Sequence, residues 1–105
     1  MSISYSWRGA FTDTEVNELH AEAFGTRVFT SEEWPWQRLT AQHSLGWVTA
    51  RDGDELVGFV NVLSDGLVHA WIQDVMVSTS HRRTGVGRAV VAAATDGAQI
   101  GRAHV

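Results

Sequence analysis

The spacing of apolar residues changes along the chain, and each change marks a new element. Ile3, Tyr5 and Trp7 alternate with serines, the period of a half-buried strand. Thr12 or Asp13 then offers a helix cap. Within Thr14 to Phe24, Val16, Leu19, Ala23 and Phe24 recur at helical spacing while Glu15, Glu18 and Glu22 fall toward solvent, and Gly25 is a stop. Ser31, followed by Glu32, Glu33, Trp34 and Pro35, reads as a second helix start with proline in the first turn, running to about His43. Gly46 to Arg51 is strand-like, Asp52-Gly53-Asp54 is a tight turn, and Glu55 to Leu63 is the next strand. After a turn at Ser64-Asp65-Gly66, Leu67 to Val77 forms a long third strand, and a helix that includes Arg88 to Thr95 follows a loop. The predicted order is β-α-α-β-β-β-α, an α/β (α+β) fold whose strands form a mainly antiparallel sheet.

Composition narrows the class. At 105 residues, 44% of them hydrophobic with five tryptophans, the chain supports one core and one domain, with no repeat or linker to divide it. It has no cysteine, hence no disulfide or thiolate metal site. No apolar run approaches a membrane span and no signal peptide is visible, so a cytoplasmic location without membrane partners is expected. All eight basic residues are arginine, which reads as codon bias of a GC-rich bacterial genome.

One segment stands out against a formal charge of -4: His81-Arg82-Arg83-Thr84-Gly85-Val86-Gly87-Arg88, which carries three arginines and no carboxylate. It lies between a strand and a helix. Glycines let backbone approach a phosphate closely, and the free N–H groups and dipole of the helix start favour an anion. The spacing lacks the Gly-Lys-Ser/Thr ending of a P-loop and the third glycine of a dinucleotide fingerprint. A nucleic-acid patch would need a broader basic surface, so no nucleic-acid partner is expected.

With the preceding strand Gln73-Asp74-Val75-Met76-Val77, this segment resembles the acetyl-CoA-binding motif of the GNAT superfamily of N-acetyltransferases. Val77 precedes Arg82 at the family interval, and Arg82-x-x-Gly85-x-Gly87 follows its pattern. Thr79, His81 and the pair Arg83-Thr84 depart from the commoner proline, tyrosine and Gly-Lys. The resemblance implies acetyl-CoA as cosubstrate, held by backbone of Val75, Met76 and Val77 and by Arg82, Arg83, Thr84, Gly85, Val86, Gly87 and Arg88. A strand bulge would free the Val75 N–H to polarise the thioester carbonyl and let Val77 bond the pantetheine arm. The reaction it implies is direct attack by a primary amine, with no metal. Many relatives have Glu-Asp where this chain has Gln73-Asp74; Gln73 is no base, which leaves Asp74, then His69, as candidates. Trp34 and Trp36 sit where acceptors enter in the family, although aromatics near helices also serve as core.

The family fold places a further strand, parallel to the third strand of the meander, after the last helix, and none is visible here. The reading is therefore a domain over residues 1–98 with the final strands and helix missing, and a non-native tail at 99–105. Ile100-Gly101-Arg102-Ala103-His104-Val105 is also the in-frame translation of a common sequencing-adapter DNA. A separate class of function is a non-catalytic CoA-binding or interaction domain that completes its sheet with another chain, as in a homodimer through the exposed sheet edge.

Overall fold

A computed structural model describes residues 2–103, with side chains to Gln99. The elements are β1 (Ile3–Trp7), α1 (Asp13–Phe24), α2 (Trp36–His43), β2 (Ser44–Asp52), β3 (Glu55–Ser64), β4 (Ala70–Val77), a single 3-10 turn (Thr79–His81) and α3 (Val86–Ala103). The strands lie in the order β1-β2-β3-β4, and every pairing is antiparallel.

Because side chains alternate across a sheet, the central strand β3 serves two cores, and its residues from Leu56 to Val62 are all buried. Val60 and Val62 join Val48, Ala50, Val86, Val90 and Ala94 under α3. Phe59 meets Phe11, Val16, Leu19, Trp36 and Met76 on the face covered by α1 and α2. Trp7 closes one end of the α3 side, where it lies against two glycines: a Cβ built on Gly46 or Gly97 would come within 2.1 or 2.2 Å of its ring.

Helix α1 starts where its sequence says it should. Thr12 Oγ1 accepts the Glu15 N–H at 3.1 Å, the Glu15 carboxylate accepts the Thr12 N–H at 2.9 Å, and Gly25 ends the helix in the left-handed region at φ 67°. Its buried face differs from the expected one. Phe24 is 51% exposed, and Asn17 is buried instead, its amide donating to Trp34 O at 3.2 Å and accepting from Trp36 Nε1 at 2.8 Å. With its polar atoms matched, Asn17 occupies a core position.

Helix α2 begins at Trp36, not at Ser31. Thr30 and Glu33 do form a reciprocal cap, with N–H···O distances of 3.1 and 3.2 Å, but only one turn follows. Pro35 ends it, because the residue before a proline is driven out of the α region. Strand β2 starts earlier than expected, at Ser44, and β4 starts later, at Ala70. Asp65 explains the delay: its carboxylate accepts the N–H groups of Leu67 at 2.8 Å and His69 at 3.1 Å, holding those residues in a turn. Helix α3 starts two residues before Arg88 and continues through Ala103. Of the tail expected at 99–105, residues 99–103 continue α3, and His104 and Val105 lie outside the described residues.

Candidate functional site

Strand β4 carries an irregularity at the residues singled out from sequence. Phe59 opposes Met76 and Asn61 opposes Gln73, so Val60 alone faces both Asp74 and Val75. This is a β-bulge, and Asp74 sits in it at φ 59°, a left-handed conformation that aspartate tolerates better than most residues. Beyond it, the Ser78 N–H donates to Val57 O at 2.8 Å and so points toward β3. Alternation along the strand then turns the N–H and C=O of Val77, and those of Val75 across Met76, toward the edge that no described strand occupies. The Met76 side chain is fully buried on the α1 face, leaving only its backbone to a ligand.

The turn that follows is held from both sides. Thr79 donates its N–H at 2.6 Å and its hydroxyl at 2.5 Å to Glu22 at the end of α1, and Arg82 Nη2 donates to Ala23 O at 3.0 Å. The Thr79 hydroxyl and amide, with smaller help from Arg82, hold the Glu22 carboxyl below its ordinary range. His81, only 5% exposed, faces the other way. Its ring bonds Ser78 Oγ at 2.7 Å through Nδ1 and lies 3.1 Å from Asp52 Oδ2 through Nε2.

Two residues of the turn have positive φ, Arg83 at 65° and Gly85 at 90°, and together they swing the chain into α3. The first i→i+4 bond of α3 runs from the Ala89 N–H to Gly85 O at 3.0 Å. The amides of Val86, Gly87 and Arg88 are therefore helix-start N–H groups without intrahelical acceptors. A Cβ on Gly85 would meet nothing within 4 Å, and one on Gly87 only Val77 Cγ2 at 3.5 Å, so space is open in front of these amides. Arg83, Thr84 and Arg88 are exposed around them, and the Thr84 hydroxyl bonds the His81 carbonyl. The Arg82 guanidinium is engaged with α1, which makes it a brace for the turn as well as a local positive charge.

The other predicted residues are dispersed. His69 lies before β4, its side chain 69% exposed and bonded to Asp65 Oδ2 at 3.1 Å. Trp36 is 4% exposed and belongs to the core, whereas Trp34 stacks on it at 5.3 Å and is 42% exposed. Of the two, Trp34 offers the larger accessible surface. Sequence reasoning missed Glu22 and Asp52 as anchors of the turn. They are 57 and 29 residues from their partners, and no local pattern reports such pairings. No group of residues suited to a metal ion occurs among the described residues. Among them also, no helix is long and apolar enough to cross a membrane.

A bulged edge strand that runs through a braced turn onto a helix N-terminus marks one side of this α+β domain. The chain belongs to the acetyltransferase (GNAT) family, whose profile matches residues 12–103. Its fold is similar to a probable acetyltransferase of Staphylococcus aureus, with TM-score 0.75 and 22% identity over 90% of this chain and 68% of that one. It is also similar to a GNAT family protein of Streptococcus pneumoniae, with TM-score 0.72 and 26% identity over 93% of this chain and 69% of that one. An aminoglycoside 6'-N-acetyltransferase, solved in complex with coenzyme A, matches with TM-score 0.73 and 19% identity over 96% of this chain and 57% of that one. No curated protein sequence matches the chain.

Proposed function

We propose that this domain binds acetyl-CoA along the open edge of β4 and serves transfer of the acetyl group to a primary amine of a small molecule or protein. The observation that carries this reading is the continuity of three features: the bulge at Asp74 and Val75, the free edge at Val77, and the amides of Val86, Gly87 and Arg88. Their chemistry fits the cosubstrate. An extended pantetheine arm pairs with a strand edge as an added strand would, and a diphosphate suits helix-start N–H groups flanked by Arg83 and Arg88.

The cosubstrate supplies an activated acetyl thioester. The chain supplies the rest of what the reading needs: the Val75 N–H polarises the acyl carbonyl, and Asp74 takes the proton that the amine must lose. The amine attacks directly, so no covalent link to the protein forms. Trp34 borders the acceptor entrance, and Trp36 supports it from the core. The departing thiolate needs a proton donor and a second wall. Tyr5, the chain's one tyrosine, is on β1 at the opposite edge of the sheet and cannot be that donor. Residues 1–105 on their own are expected to lack transfer activity, with residues 1–98 as the partial domain that binds. A cytoplasmic, bacterial setting accords with this chemistry.

Calorimetry with coenzyme A and with ATP tests the reading. Uptake of coenzyme A with at least about tenfold preference over ATP is expected, since only the former has an arm to lie along β4. Equal affinities would reduce the site to a general phosphate cradle.

A second reading draws on the same edge. Leu67, Val68, Trp71 and Ile72 are exposed, and Val68, Ala70 and Ile72 line a cleft of about 340 Å³ with Ala94 and Ala98 of α3. A domain that pairs this edge with a second copy of itself would be a non-catalytic interaction module. Acetyl transfer by the assembled pair would overturn that alternative.

A further inference from the structure

Every polar atom of His81 is engaged, and the partners come from separate parts of the fold. Its N–H donates to Ser78 O at 3.0 Å, and its carbonyl accepts the Thr84 hydroxyl. Nδ1 lies 2.7 Å from Ser78 Oγ and 3.0 Å from Ser80 Oγ, while Nε2 lies 3.1 Å from Asp52 Oδ2 at the β2–β3 hairpin. An ionised carboxylate can only accept, so the ring donates from Nε2, and in the neutral ring Nδ1 accepts a serine hydroxyl. Ser78 is 3% exposed, so Asp52, His81 and Ser78 do not form a nucleophilic triad open to a substrate.

We infer that His81 is a positioning residue for the phosphate turn, which it ties to the β2–β3 hairpin through Asp52. This role rests on the acetyl-CoA reading and on geometry. Between the Ser78 N–H bond to Val57 O and the Ala89 N–H bond to Gly85 O, the turn has no ladder to hold it. His81 closes it internally, from Ser78 to Thr84, and anchors it externally to the hairpin. Arg82 anchors the next residue to a different element, at Ala23 O of α1. Two adjacent residues thus tie the turn to two separate elements. The next residue, Arg83, has positive φ and leads the chain toward the helix-start amides. Preorganised donors bind an anion without the cost of ordering them, so release of the ring should appear as lost affinity.

The test compares His81→Leu, Asp52→Ala and Asp52→Asn by calorimetry with coenzyme A, at a temperature where circular dichroism shows each variant folded. Asp52 is the safer position because its side chain is 32% exposed, so its removal leaves no buried cavity. Asp52→Ala and His81→Leu should weaken coenzyme A binding by about tenfold, the loss of a charge-assisted hydrogen bond, whereas Asp52→Asn retains an acceptor and should stay within about twofold. Amide exchange at Val86, Gly87 and Arg88 should quicken in the first two variants while that of α1 does not. A role in stability alone would lower the melting temperature and leave the affinity of folded protein unchanged, and that result overturns the inference. Failure of the wild-type protein to take up coenzyme A removes the acetyl-CoA reading itself, and the inference with it.

Discussion

Gly87 and Gly85 look alike in sequence but face different demands. A Cβ at Gly87 meets only Val77 Cγ2, at ordinary van der Waals distance, and so has room in the fold. The proposed diphosphate leaves no such room. Gly87→Val should keep its melting temperature within a few degrees and lose coenzyme A affinity by at least about tenfold in calorimetry. At Gly85, φ 90° adds backbone strain of roughly 1–3 kcal/mol for any other residue, so Gly85→Val confounds binding with folding. Asp74 permits a cleaner substitution. Asparagine tolerates the same left-handed conformation, so Asp74→Asn removes the charge and keeps the bulge. In a preparation that transfers acetyl groups, turnover at neutral pH should fall while acetyl-CoA binding persists, and the acidic limb of the pH–rate profile should disappear. An unaltered limb would move attention to His69.

Among the elements, the boundaries show which forces a sequence reveals. The cap of α1, which the sequence left between Thr12 and Asp13, the tight turn at Gly53 and the glycine-bearing turn before α3 are local devices, and their positions were legible. The start of α2 was misread because its cap at Thr30 and Glu33 exists but is cancelled by Pro35, and the start of β4 because Asp65 captures two amides. The bulge at Asp74 was reachable only through family resemblance, since two residues opposite one leave no mark in composition. The ties between elements were not legible at all, and Glu22 is the example. Its pKa is depressed in the fold, so the stability it contributes is present above its unfolded value and is lost as pH falls through the folded one. Below about pH 4.5 the brace between α1 and Thr79 should loosen. In Glu22→Gln the fall in melting temperature over that range should be shallower, and Thr79 amide exchange should be fast already at neutral pH. The packing of α3 on the sheet gives a second check. Alanine in place of a helical glycine normally gains up to about 1 kcal/mol. At Gly97 the added carbon would sit 2.2 Å from Trp7, whose ring is also hemmed in by Gly46. Overpacking of about 1–3 kcal/mol should win, and Gly97→Ala should lower the melting temperature.

Among the described residues, the sheet is covered on both faces but open along the β4 side. Helices α1 and α2 close one face and α3 the other, and β1 ends one edge with a short strand broken by serines. Outside its bulge, the β4 edge has none of the charges that usually keep such edges apart. Trp71, Ile72 and Val75 are 53%, 42% and 38% exposed, and Asp74 is the one charged residue on the strand, held within the bulge. Backbone donors and acceptors beside exposed apolar side chains are a template for another strand, so residues 1–105 should associate increasingly with concentration in sedimentation experiments. The bulge limits how that association can happen. It interrupts regular pairing at Asp74 and Val75, so the longer regular run, from Ala70 to Gln73, should carry the contact. Trp71→Lys lies within that run and away from the phosphate turn. It should shift the protein toward monomer with coenzyme A affinity unchanged, whereas an association through any other surface would be indifferent to it. Coenzyme A laid along Val75 and Val77 should, for the same reason, compete with association only if pairing extends past the bulge. A dimer that persists in saturating coenzyme A would place the contact at Ala70 to Gln73, and one that dissociates would place it across the bulge as well.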